Sequence, residues 1–187
     1  MKRILVAFLL LTSVNYLSFG QEGILPLDSK NNAVYSDVGA VQHTRDVLFT
    51  NAQKWVVKTF GNYENAVVTE DRSNGKLVLN TYAPISSAAY EYLRLTITID
   101  CQDNKYSVLM TDLEGIAKSQ TIKRLGKRQN DEIQEKSVLV KTESNRKQKA
   151  LAENELNEMK SDNNSVNNAV YGLLASLKQM MLAESEN

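Results

Sequence analysis

Cysteine is almost missing from this chain. Cys101 is the only one in 187 residues, so no disulfide can close within the chain and no cysteine-built zinc site can form. Histidine is equally scarce, and every His-dependent triad or metal set would have to use His43 alone. The two prolines, Pro26 and Pro84, and eight glycines leave no glycine-rich phosphate loop and no calcium-loop spacing. Neither internal repeats nor low-complexity tracts interrupt the chain. Charge of one sign is also lacking, because 22 basic residues face 22 acidic ones, which argues against a dedicated polyanion or nucleic-acid binder.

Long apolar runs are absent except at the start. Lys2 and Arg3 precede the unbroken run Ile4–Leu11, and Ser18 and Gly20 supply small residues three and one before a cut after Gly20. The run is far shorter than the ~20 residues that span a bilayer, so residues 1–20 read as a cleaved secretory signal peptide rather than a retained anchor. No cysteine follows it to take a lipid. Removing Lys2 and Arg3 leaves a net charge of −2. The expected location is periplasmic or secreted, and stability must come from a packed core, since no crosslink supplies it.

Aromatic residues are frequent up to Tyr106 and missing from Ser107 to Val170. Within that gap, 114–162 carries eleven basic and nine acidic residues and reads as a solvated helix or linker. The chain therefore divides into an α+β domain over 21–113, the charged segment 114–162, and a C-terminal helix over 163–183. Ala33–Gln42 reads as a strand with Val34, Val38 and Val41 as its apolar members. Thr44–Phe60 reads as a helix, capped by Thr44, closed by Gly61-Asn62, and striped with Leu48, Ala52, Trp55 and Val56. Val67–Asp71 and Lys76–Tyr82 flank an Asn-Gly turn, and Tyr90–Gln102 and Lys105–Leu113 flank Asp103-Asn104. In the second hairpin a two-residue loop pairs Ile99 with Val108, Ile97 with Met110 and Cys101 with Tyr106, which brings both apolar faces to one side. Val166, Val170, Leu173, Leu177 and Met181 recur at helical spacing, with Asp162 or Ser165 as the expected cap. The order β-α-β-β-β-β-α predicts an antiparallel sheet of about five strands with two helices packed on one face.

Leu25-Pro26-Leu27-Asp28, Thr44–Phe49, Ala52–Val56 with its tryptophan, and the hairpin from Ile97 to Gly115 with Lys105-Tyr106 together resemble an exported bacterial family, number 4468 of the domains of unknown function. The resemblance runs over roughly 25–115 plus the closing helix. It implies a fold similar to one repeat of the TATA-binding protein, an antiparallel sheet with helices on one face. It implies no activity and no cofactor, and DNA binding does not follow from a shared fold.

The residues offer few reactive groups. His43, just before a helix, reads as a turn residue. Cys101, on the apolar hairpin face, reads as an inert buried thiol. Asp100 and Asp112 are about four residue steps apart, or ~13 Å along a strand, too far for a retaining glycosidase pair. Glu70 and Asp71 lie on alternate faces of one strand. Trp55, Phe49 and Phe60 fit a core. Lys118, Lys123, Arg124, Lys127 and Arg128 form a basic cluster suited to peripheral contact with anionic lipid, although no aromatics interleave to stack bases. Tyr82, Tyr90 and Tyr92, around the Ala83–Ala89 connection, are the candidate ligand-binding group. No catalytic residue, metal site or cofactor is expected. The reading is an exported, non-catalytic envelope module for a protein partner or small ligand. The alternatives are a hydrolase whose acids converge only in the fold, or a binder of anionic membranes through the basic cluster.

Overall fold

The computed structural model describes residues 23–183, so the signal peptide expected over 1–20 lies outside the described residues. The chain runs β1 (Tyr35–Ala40), α1 (Arg45–Phe60), α2 (Tyr63–Ala66), β2 (Val67–Asp71), β3 (Lys76–Pro84), β4 (Tyr92–Gln102), β5 (Lys105–Ile116), β6 (Ile122–Arg124), α3 (Lys127–Thr142) and α4 (Arg146–Met181). All six strands form one antiparallel sheet in the order β1-β5-β4-β3-β2, with β6 on the same edge of β5 as β1, beyond its end. The α+β class and the antiparallel sheet are as the sequence implies. The additions are the single-turn α2, the short β6 and the separate α3.

The β4–β5 hairpin has the expected register: Ile99 faces Val108, Ile97 faces Met110 and Cys101 faces Tyr106. The rule holds as far as Thr96 opposite Thr111 and then slips by one, so that Arg94 faces Glu114. A bulge at Asp112, whose φ is +52, causes the slip. Its physical purpose is clear from the strand's alternation. Without it, Asp112 and Glu114 would point into the core; with it, Leu113 is buried and Glu114 turns to the other face.

One face of the sheet is covered. Leu77, Leu79, Leu93, Leu95, Ile97, Ile99, Val108 and Met110 pack beneath Leu48, Phe49, Ala52, Trp55 and Val56 of α1 and Val166, Val170, Leu177 and Met181 of α4. Each such side chain fully removed from water contributes roughly 1.5–3 kcal/mol. The Thr44 hydroxyl caps α1 by accepting from the Val47 N–H at 3.4 Å, and Gly61, at φ +77, ends it. Trp55 Nε1 donates to Ser176 Oγ at 2.9 Å, tying α1 to α4.

β1 departs from expectation. Tyr35 is its buried side chain and Val38 is exposed, while Val41, just past the strand's end, is buried as expected, so the apolar members do not share one face. Tyr35 reaches α4, where its hydroxyl donates to Asn167 Oδ1 at 2.7 Å and its ring meets Tyr171 edge-on. Gly39 leaves room for the Tyr106 ring, which a Cβ would strike. As an edge strand, β1 pairs only with β5, and the Val38 N–H is taken by the side chain of Asp37 at 2.9 Å.

Of the two readings of the charged segment 114–162, the solvated helix describes most of it and the linker does not. The segment completes β5, adds β6, forms α3 and supplies the first half of α4. Nor does the closing helix begin near residue 163. α4 is one helix of 36 residues, about 54 Å long, starting after Asn145, whose side chain accepts from the N–H groups of Lys147 and Gln148. The stretch 146–161 is rich in strong helix formers and has no glycine or proline, so nothing stops the helix there. Asp162 and Ser165, the expected caps, sit mid-helix and hold the 83–89 connection instead. Asp162 accepts from Ser87 Oγ at 2.6 Å and from the Ala88 N–H at 2.9 Å, and Ser165 Oγ donates to the Ser86 carbonyl.

Candidate functional site

Among the described residues, no helix lies on the second face of the sheet. Outward positions of β3, β4 and β5 place Asn80, Tyr82, Tyr92, Arg94, Thr96, Leu109 and Glu114 there, with Ser36 and Val38 from β1. Tyr82 and Tyr92 are 53% and 41% exposed, Val38 and Leu109 59% and 43%. The register sets Tyr82 opposite Arg94 and Pro84 opposite Tyr92, so both tyrosines share one end of this face.

The third tyrosine of the sequence-derived group is elsewhere. Tyr90 is buried, its ring stacked over Gly115, where a Cβ would come within 2.5 Å of it. Burial holds its hydroxyl above the usual phenol range, reinforced by Asp162 and Glu132. Tyr90 is therefore core, while Tyr82 and Tyr92 are surface. Alternation within the strand explains the split between Tyr92 and its buried neighbour Leu93. Tyr90, which precedes β4, is not ruled by that alternation.

Beside Tyr82 lies a shallow polar cleft lined by Asn80, Arg94, Leu95, Thr96, Asp112 and Glu114. Two carboxylates thus meet in one depression, which residue spacing did not indicate because the bulge creates it. Each is already engaged. Arg94 Nε donates to Glu114 Oε2 at 2.7 Å with a second contact from its terminal nitrogen, and Arg124 donates to Asp112 Oδ1 at 3.0 Å. The Glu114 bond, followed by Tyr82, raises the Arg94 guanidinium above its ordinary value. A carboxylate locked to an arginine is a poor general base, so the cleft suits charge-paired recognition better than proton transfer. Arg94 and Glu114 are the site residues that sequence reading missed. Their signal was outward position on facing strands, obscured because an unbroken register opposes Arg94 to Leu113.

The basic cluster spreads over a turn and two elements: Lys118 before β6, Lys123 and Arg124 on it, Lys127 and Arg128 at the start of α3. Four of these line a cleft with Asn31 and Asn32. Lys127 pairs with Asp131 at 2.5 Å, Arg128 with Glu132 at 3.4 Å, and Arg124 with Asp112. Cations at a helix N-terminus oppose its dipole, and the acids one turn on offset them. His43 is half-buried in the turn before α1, where its carbonyl accepts from the Asn104 N–H. Cys101 is 1% exposed, and burial, then Asp100, pushes its thiol up to about 12.

Residues 35–115 match the family model described as a domain of unknown function (DUF4468) with TBP-like fold. A crystal structure of a DUF4468 family protein from Bacteroides ovatus ATCC 8483 is similar, with a TM-score of 0.54 at 14% identity over 87% of this chain and 93% of that one. A TBP-like protein from Parabacteroides distasonis ATCC 8503 has a TM-score of 0.49 at 14% identity over 82% of this chain and 96% of that one. No curated protein matches the chain.

Proposed function

We propose, from the premise that residues 35–115 form a DUF4468 domain with a TBP-like fold, that this protein is an exported, non-catalytic module of the bacterial envelope that holds a protein partner on its open sheet face. The observation that carries this reading is the contrast between the two faces. One is sealed by α1 and α4, and the other presents Tyr82 and Tyr92 beside charges already paired at one end, with Leu109 and Val38 toward the other. Rigid tyrosines flanked by satisfied polar groups suit a protein interface, and neutralised carboxylates do not suit hydrolysis. The leader Lys2–Gly20 supports export.

The test is photo-crosslinking in the producing cell. A photoreactive residue at Tyr92 or Thr96 yields one discrete adduct, and the same residue at Lys54 on α1 yields none. Tyr82→Ala abolishes the adduct formed from position 96. Absence of any adduct from the sheet face, or ester or glycoside turnover lost on Glu114→Gln, overturns the reading. The protein recovered from the envelope begins at Gln21; an intact Met1 excludes export by this leader. Salt-sensitive sedimentation with anionic vesicles, lost on Lys123→Ala, favours the membrane alternative.

A further inference from the structure

A different site lies where the N-terminal strap passes between α3 and α4. Four asparagine side chains grip the main chain of residues 23–25. The Gly23 N–H donates to Asn164 Oδ1 at 2.8 Å, and the Gly23 carbonyl accepts from Asn163 Nδ2 at 2.8 Å. The Ile24 carbonyl accepts from Asn167 Nδ2 at 3.1 Å. Asn130 of α3 engages Leu25 twice, accepting from its N–H and donating to its carbonyl, both at 2.9 Å. Such amide-to-peptide pairs are what a β-ladder makes, supplied here by helix side chains.

Asparagine is a weak helix former, and Asn163, Asn164 and Asn167 stand together in the middle of α4. Asn163 is only 3% exposed. A buried side-chain amide is tolerated because it is hydrogen-bonded, and its donor is spent on the strap. Main-chain bonds do not distinguish one side chain from another, but two positions of the strap do. Gly23 has φ +81, and a Cβ there would lie 2.8 Å from Cα of Lys160. Leu25 is 1% exposed and belongs to the core. Only after residue 26 does the strap turn back, with Leu27 bridging Ala33.

We propose that the cleft between α3 and α4 is a peptide-binding site selective for a Gly-X-Leu segment whose glycine takes a left-handed conformation, and that residues 23–25 of this chain are its built-in occupant. The site needs nothing from the open sheet face and stands independently of the function proposed above. The strap is a ligand joined to its receptor through the turn at 28–32, where Lys30 and Asn31 are exposed.

The experiment opens that turn. A specific protease site replaces Ser29–Asn31 in the otherwise full chain, and the folded protein is nicked. The freed N-terminal fragment co-elutes with the body on gel filtration and exchanges saturably with a fluorescent synthetic peptide of residues 21–29. Peptides carrying Gly23→Ala or Leu25→Ala bind about tenfold or more weakly, while Ile24→Ser stays within about twofold, the scale set by one lost apolar side chain or one buried contact. Asn163→Ala in the body weakens the parent peptide by a similar factor. If nicking lowers helical circular dichroism, excess peptide restores it. Loss of the fragment with no binding of added peptide, equal binding of the alanine peptides, or unrestored helicity overturns the proposal.

Discussion

The two halves of α4 are held by different chemistry. From residue 166 on, Val166, Val170, Leu174, Leu177 and Met181 are buried against α1 and the sheet. Upstream of Asn163, only Ala152 and Leu156 are buried, and they face α3. At the junction, asparagines replace leucines and bind a strap some 140 residues away in sequence. A helix can thus be continuous in backbone yet belong to two neighbourhoods of unequal strength, because burial is cooperative over the core and sparse along a two-helix hairpin.

The largest expected contrast is in thiol chemistry. Cys101, under the sheet with its thiol pushed up to about 12, reacts with iodoacetamide at pH 8 at least about a thousandfold more slowly than free cysteine. A cysteine introduced at the exposed Ala150, in a Cys101→Ala background, reacts within about tenfold of the free rate. Peptide mass spectrometry of timed samples reads both. Fast labelling of native Cys101 breaks the picture of a sealed core.

Next comes side-chain truncation. Leu177→Ala costs about 3 kcal/mol of global stability in urea melts followed by circular dichroism. Leu156→Ala, beyond the junction, costs about half that and shows first as faster amide exchange in 129–158. Equal costs and one shared transition would make the helix a single unit.

Asn163→Ala leaves the Gly23 carbonyl without its buried donor and costs about 2 kcal/mol, with exchange rising in the strap before the sheet. The Lys136–Glu155 pair is solvent-facing, 25% and 58% exposed, and Glu155→Gln shifts stability by less than about 0.5 kcal/mol, a difference erased by salt. The smallest effect is in acid. Hydrogen bonds from Ser73 and Asn74 lower the Asp71 carboxyl below its ordinary 3.8, so its contribution is complete above that value and lost as pH falls through the lowered one. Asp71→Asn flattens this acid limb, and urea midpoints between pH 5 and 2 read it.

Legibility follows the same divide. The β4–β5 register was readable because Leu93, Leu95, Ile97 and Ile99 alternate strictly and the loop has two residues. α1 was readable because a hydroxyl cap and a glycine bound an apolar stripe. β1 was misread because an edge strand tolerates exposed valines, and its buried contact is a tyrosine whose partner, Asn167, is far along the chain. The first half of α4 lacks an apolar stripe, so its composition leaves solvated helix and linker both open until α3 lies beside it. At the open face, the exposure of Tyr82 and Tyr92 agrees with their place beside a connection. Arg94 and Glu114 were not legible, since a single left-handed residue, Asp112, decides that they meet.

One small contact at the edge of the sheet bears on strand-to-strand association. The Val38 amide, on the sheet's outer rim, is already satisfied by the carboxylate next to it in the chain. An incoming strand would have to displace that acid and then accommodate its negative charge along a dry seam. Growth of the sheet from molecule to molecule is thereby discouraged at that rim.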